Sequence, residues 1–299
     1  MALSIEIRNG YVYLVEAKTT KTSINVKNLF AYEFPEEWVN ENGIVNTNDF
    51  ANLLDVHLKD NNLRDRQAYV CINNSSVIYR ELIIPEIDER RIPLLVRSEM
   101  ISNLNLSPDY IMDYIVLNEF EEDASKFLRI FAVAMPKSAI ESVLDVLKQC
   151  KLNPVVIDSA TNAVLKFVKS TSQLKENEQV ILADVGNGHL RLYLFEDGEY
   201  GLSRNNKLLT YNKENREEIV NTITENINKM IQFSYTRSRE NELKKIILTG
   251  LDDLLIDIQK NVKENLLIEC EILEKPVFVT GDVKFENKYV NTIGTLVRK

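Results

Sequence analysis

Histidine occurs only twice, at His57 and His189, and cysteine three times, at Cys71, Cys150 and Cys270, in a chain of 299 residues. Two histidines exclude a histidine-based metal site, and the cysteine spacing forms neither a zinc pattern nor a disulfide framework. The three thiols are expected as core side chains of a reducing, cytoplasmic compartment. No Gly-x-x-x-x-Gly-Lys run is present, which removes the Walker-type NTPases. No stretch approaches the roughly 18 apolar residues of a spanning helix, and no basic-then-apolar leader is read at the N-terminus. Basic residues are outnumbered, 36 against 45 acidic, for a net charge of −9. That balance excludes the contiguous basic footprint of a nucleic-acid binder and argues against direct adhesion to, or insertion into, an anionic membrane.

What is present is a chain 44% hydrophobic, enough for a substantial core and for two domains or one divided architecture. Residues 3–18 read as a β-hairpin turning at Asn9-Gly10. Residues 48–62 read as a helix capped by Asn48 or Asp49, and 67–85 as two strands joined around Asn73-Asn74. A helical stripe of Leu94, Leu95, Ser98 and Ile101 runs through 88–105. Two strands follow, 110–120 and 126–135, around the acidic turn Glu121-Glu122-Asp123. Pro136 opens a helix to Lys151, and a strand at 154–159 leads into the helix 160–169. The polar segment 170–179 marks a midpoint boundary. Beyond it lie a hairpin, a long helix over about 215–239, a strand at 245–250, a helix at 252–266, a short strand near Ile268 and a closing helix at 286–299. Strands alternating with helices predict an α/β architecture.

The hairpin after the midpoint, 182-LADVGNGHLRLYLFEDGEYGLSR-204, repeats the N-terminal one. A shift of 178 positions pairs Glu6 with Asp184, Ile7 with Val185, Asn9 with Asn187, Gly10 with Gly188 and Leu14 with Leu192. Two such hairpins, each opening one half, fit two related lobes facing a cleft. Backbone N–H groups of a glycine turn can converge on phosphate oxygens, and an acid before the turn can hold Mg²⁺. Asp184, Gly186, Asn187 and Gly188 form the competent version. The first hairpin carries Arg8 in place of Gly186 and Glu6 in place of Asp184. Two ordinary hairpins whose glycines serve only turn geometry are the alternative.

These segments resemble, over nearly the whole chain, the PilM family of type IV pilus assembly proteins, members of the actin-like ATPase superfamily close to FtsA. The family's Asp-Ile-Gly-Ser-Ser loop aligns with Glu6, Ile7, Arg8, Asn9 and Gly10. Its Val-Arg-x-Glu helix aligns with 96-VRSEMISNLNLS-107, where Arg97 and Glu99 match and Asn105 replaces a proline. Its other motifs align with 113-DYIVL-117, with 152-LNPVVIDSATNAVLK-166, with Asp184-Val185-Gly186, with 248-LTGL-251, and with 290-VNTIGTLVR-298, which keeps Gly294 and Arg298.

The resemblance implies an actin-like (ribonuclease H-like) α/β fold of two lobes. The first is 1–175, with an inserted subdomain 1C at about 85–153. The second is 176–299, its closing helix returning to the first lobe. Mg-ATP is the implied cofactor, held by Glu6, Asn9, Gly10, Asp184, Gly186, Asn187, Gly188 and Gly250, with Asp184 toward the metal and Asp158 as the catalytic acid that orients water. Asp158 reads equally as a helix cap, a role open to Ser159 too. Arg8 damages the first loop and Leu251 stands where adenosine needs close backbone approach. The implied partners are the cytoplasmic N-terminal peptide of a PilN-like membrane protein and other pilus assembly proteins, assembly ATPases included. The protein would then sit peripherally on the inner face of the cytoplasmic membrane. A groove of Leu82, Ile83, Ile84, Leu94, Arg97, Glu99 and Leu104 is the candidate peptide site. An adaptor with a compromised nucleotide site is the reading; an active ATPase and an FtsA-like filament former are the alternatives. A sugar kinase is set aside, because intact phosphate glycines and a sugar pocket are both missing.

Overall fold

The computed structural model describes every residue except 9, 74, 75, 187, 209–214, 238–241 and 299. Its contacts divide the chain into two compact units. One comprises Met1–Tyr32, Tyr69–Cys71 and Asp158–Lys299, the other Glu33–Ala68 and Ile72–Ile157.

The first unit holds two sheets. The N-terminal hairpin forms as expected: β1 (Ala2–Arg8) pairs antiparallel with β2 (Tyr11–Thr19), closing at Arg8 opposite Tyr11. Gly10 takes φ of 71° in that turn, a conformation that suits glycine. β3 (Ile24–Glu33) continues the sheet. The rest of the chain contributes short or shared pieces to it. These are Tyr69–Cys71 of β6 (Gln67–Asn73), the end of β10 (Asn153–Ser159), and β16 (Val279–Thr280), which lies parallel to the start of β3.

The second sheet runs in the order β13-β12-β11-β14-β15. Its strands are β11 (Glu178–Gly186), β12 (His189–Glu196), β13 (Glu199–Lys207), β14 (Glu242–Gly250) and β15 (Cys270–Ile272). The Asp197-Gly198 turn, with φ of 55° and 76°, joins β12 to β13. Central β11 is buried from Gln179 to Gly186, as a strand covered on both faces must be. On one face Ile181, Ala183, Val185, Leu190, Leu192, Ile246 and Leu248 meet α5 (Arg216–Arg237) and α6 (Asp252–Leu266). α5 supplies Ile219, Val220, Ile223, Ile227, Met230 and Ile231, a stripe with helical period. Each such side chain contributes about 1.5–3 kcal/mol on burial. The opposite face carries Asp184, Arg191, Tyr193 and Thr249, as the alternating register requires. It is on this polar face that α4 (Ala160–Lys169) approaches, Thr161 and Tyr193 lying 3.3 Å apart at their hydroxyls.

The second unit holds the three-stranded sheet β7-β9-β8, of β7 (Ile78–Pro85), β8 (Tyr110–Glu122) and β9 (Ser125–Pro136). The β8–β9 turn is Asp123-Ala124, both at positive φ, one residue later than the acidic run suggests. α2 (Ile92–Leu104) covers one face of this sheet with Ile92, Val96 and Met100. The expected stripe is not the buried one: Leu94 is 71% exposed. Both sides of this helix are apolar, so composition does not select a face.

The same unit contains α1 (Thr47–Asp60) and α3 (Lys137–Gln149), with the small hairpin β4 (Val39–Asn40) and β5 (Gly43–Ile44). Asn46, ahead of both expected caps, accepts from the Asp49 N–H at 3.3 Å and starts α1. Pro136 precedes α3 as its cap. The closing segment departs most from expectation. A single-turn 3₁₀ helix, Asn287–Tyr289, leads into α7, which spans only Val290–Gly294.

Candidate functional site

The acids of the two repeated hairpins occupy matching places, Glu6 on β1 and Asp184 on β11, each two residues from its strand end. Alternation puts Arg8 on the same face of β1 as Glu6. The guanidinium turns back on that neighbour: Nε and Nη2 donate to Glu6 Oε1 at 2.9 and 2.7 Å. The Tyr13 ring lies beneath it, 5.2 Å from the guanidinium carbon to the ring centroid.

α7 supplies the remaining donors. Thr292 Oγ1 donates to Glu6 Oε2 at 2.8 Å. Asn291 Nδ2 stands between the acids, 3.4 Å from Glu6 Oε1 and 3.2 Å from Asp184 Oδ2. Ser4 Oγ donates to the Thr292 carbonyl at 2.7 Å, fastening the helix to β1 a second time. Glu6, Arg8, Asp184, Asn291 and Thr292 are all at most 2% exposed. Burial alone would lower the Arg8 pKa, but Glu6 and Asp184 outweigh it, and the net shift is upward. Two polar atoms of the cluster, Arg8 Nη1 and Asn291 Oδ1, are buried without a hydrogen-bond partner.

The glycines of the expected phosphate site are fixed by the chain itself. A Cβ on Gly186 would lie 2.2 Å from His189 Nε2, so the imidazole packs directly against this glycine. Gly188 keeps a positive φ of 73° with open space around it. At Gly250, φ is 109° and a Cβ would lie 2.0 Å from the Val185 carbonyl oxygen. Glycine there permits the close approach of β14 to β11. Leu251 follows this glycine at the end of β14. Its side chain packs against the α5–α6 core, and its N–H donates to Val185 O at 2.9 Å.

The same loop anchors the C-terminal segment. Thr249 Oγ1 lies 3.2 Å from Asn287 Oδ1, while Asp252 accepts from the N–H groups of Asn287 at 3.0 Å and Lys288 at 3.3 Å.

Of the other expected residues, Gly10 occupies its turn, and Asn9 and Asn187 lie outside the described residues. Asp158 accepts from Lys166 Nζ at 2.6 Å, Asn162 Nδ2 at 2.8 Å and its neighbour's N–H at 2.8 Å. Ser159 serves as the N-cap of α4. The seven groove residues do not converge. Leu82 and Ile84 belong to the buried core beneath α2, with Leu104 packed against it. Ile83, 61% exposed, points to the other face of the sheet from Leu82 and Ile84. Arg97 donates to the carbonyls of Tyr110 and Pro108, and Glu99 accepts from Asn103. The sequence reading missed Asn291, Thr292 and Tyr13. No group of three or more potential metal ligands occurs among the described residues, and no helix there is long and apolar enough to cross a membrane.

Solved structures with an actin-like fold match this architecture. A protein with actin-like ATPase fold and unknown function from Bacteroides thetaiotaomicron superposes with a TM-score of 0.57 at 15% identity, covering 100% of this chain and 96% of that one. The cytoplasmic domain of EpsL, an inner-membrane component of the type II secretion system of Vibrio cholerae, gives 0.54 at 10% identity, over 100% and 95%. The chain therefore has the actin-like fold, the class whose members include ATPases. The structure of a PilM–PilN type IV pilus biogenesis complex matches with a TM-score of 0.82 at 18% identity, covering 100% of this chain and 99% of that one. No curated protein sequence matches. The family model for type IV pilus assembly protein PilM matches residues 4–209, and the chain belongs to that family.

Proposed function

We propose that this chain is an adaptor of the type IV pilus assembly platform that works without Mg-ATP. It binds the cytoplasmic N-terminal tail of a PilN-like membrane protein and is held by it on the inner face of the cytoplasmic membrane, beside other assembly proteins including the assembly ATPases. Family membership supports the pilus role. The observation that carries the nucleotide-independent reading is the buried Arg8–Glu6 ion pair, 2.7 Å long, beside Asp184. A Mg-nucleotide would bring its own cation to these acids, where the Arg8 guanidinium already supplies a positive charge. The residues present do not fit that group. Leu94, the most exposed member of the predicted groove, is the candidate tail contact.

The two glycine turns, Gly10 and Gly188, retain positive φ. That favours a second reading, an adaptor gated by bound nucleotide. Calorimetric titration of ATP with Mg²⁺, alongside titration of a PilN-type tail peptide, separates the two. Tail binding with no heat from millimolar ATP is the expected result. Micromolar ATP binding abolished by Asp184→Ala would establish the gated adaptor instead, and absence of tail binding would remove the adaptor role.

A further inference from the structure

We infer that Arg8 is a built-in counter-ion: its guanidinium stands in for a bound cation at Glu6 and Asp184 and thereby clasps α7 to both repeated hairpins with no ligand. This deepens the nucleotide-independent reading and rests on it, but not on the pilus role.

Arginine is almost never buried completely unless it is paired, and Arg8 is 1% exposed. Among the described residues its Nε and Nη2 both donate to a single oxygen, Glu6 Oε1, while Thr292 donates to the other oxygen of that carboxylate. Glu6 is thus shared between a cation and α7. Asn291 Nδ2 reaches Glu6 and Asp184 together, so the two acids are brought within the span of one amide nitrogen. In a buried setting such a pair of acids repels unless a positive charge lies close. Arg8 bonds to Glu6, and Asp184 acts on it electrostatically. Tyr13 holds the guanidinium from below. The position equivalent to Arg8 in the second hairpin is Gly186, and His189 fills the space there.

The test uses the full chain with Arg8→Ala, followed by thermal unfolding at fixed ionic strength. The expected result is a Tm lowered by roughly 5–15 °C, the scale of a buried pair with one partner removed. Low-millimolar methylguanidinium should restore the variant's Tm, tetramethylammonium should not, and wild-type Tm should move with neither. Mn²⁺ should lose its free-ion paramagnetic resonance signal with the variant and keep it with wild type. A wild-type Tm in Arg8→Ala, equal action of both cations, or stoichiometric Mn²⁺ uptake by wild type abolished by Asp184→Asn would overturn the inference.

If Arg8→Ala does not fold, Arg8→Gln is compared with the double variant Glu6→Gln/Arg8→Gln. The charge-balanced double must unfold at the higher temperature, and the reverse order, or failure of both to fold, rejects a counter-ion role. ATP binding by wild type would sink the nucleotide-independent reading itself, whereas absent rescue would sink only this assignment.

Discussion

Gly294 on α7 lies directly against Ala163 on α4: a Cβ added to the glycine would stand 2.2 Å from the alanine carbonyl oxygen. The two helices pack against each other at this point, and the position of α7 there determines whether Asn291 and Thr292 reach Glu6.

Replacing a helical glycine by alanine ordinarily stabilises, by about 0.5–1 kcal/mol. At Gly294 the sign is expected to reverse. The new methyl has backbone in its way, so α7 must shift, at a cost of about 1–3 kcal/mol. Urea unfolding of Gly294→Ala measures this, and a midpoint at or above wild type would show that α7 can move away freely.

Thr292→Val preserves shape and removes the donor to Glu6 Oε2. Losing a hydrogen bond to a buried carboxylate is expected to cost about 1.5–3 kcal/mol. Thr292→Ser should recover most of that, since the hydroxyl can again reach the acid. A Val protein as stable as wild type, with the loss confined to Ser, would mean that packing of the threonine methyl matters and the hydrogen bond does not.

The predicted groove divides on stability. Leu82 is 6% exposed in the core under α2 and Leu94 is 71% exposed. Leu82→Ala is expected to cost about 2–5 kcal/mol, and Leu94→Ala to stay within about 0.5 kcal/mol. Chemical denaturation checks both. A Leu94→Ala protein of normal stability and weakened affinity for a tail peptide would identify a contact, and unchanged affinity would remove that residue from the site.

The hairpins were legible because Asn-Gly and Asp-Gly turns flanked by alternating residues leave few other solutions. The acids of the site followed from the repeat. The Glu6–Arg8 pair was also within reach, since residues two apart on a strand share a face, yet Arg8 was read only as an obstacle to phosphate. Asn291 was not legible, because its bond to Glu6 spans 285 positions and its polar side chain signals nothing until α7 is placed. The closing segment read as a long helix. Its apolar residues follow a helical spacing, but Asn287 and Tyr289 are held by Thr249, Asp252 and Tyr13 instead. The buried face of α2 escaped for a simpler reason: Leu94 is as apolar as Ile92 and Val96, and only the sheet beneath distinguishes them.

All three cysteines are buried and unpaired. Burial pushes the Cys150 thiol up to about 11 and Cys270 up to about 12 from an ordinary 9.0, and holds Cys71 well above it. A raised pKa means the folded state keeps the proton longer than the unfolded chain does. The linked stability is fully present below pH 9 and is lost as pH rises through the folded values, because the unfolded chain gains free energy by ionising first. Stability is therefore expected to be insensitive to these thiols between pH 7 and about 8.5, and to fall progressively from about pH 9 to 12. Urea midpoints across that range test it, with Cys270→Ala as the control. Removing the thiol should make the decline shallower across the whole range from about pH 9 to 12, and an unchanged pH profile in that variant would exclude Cys270 as a source of the alkaline loss.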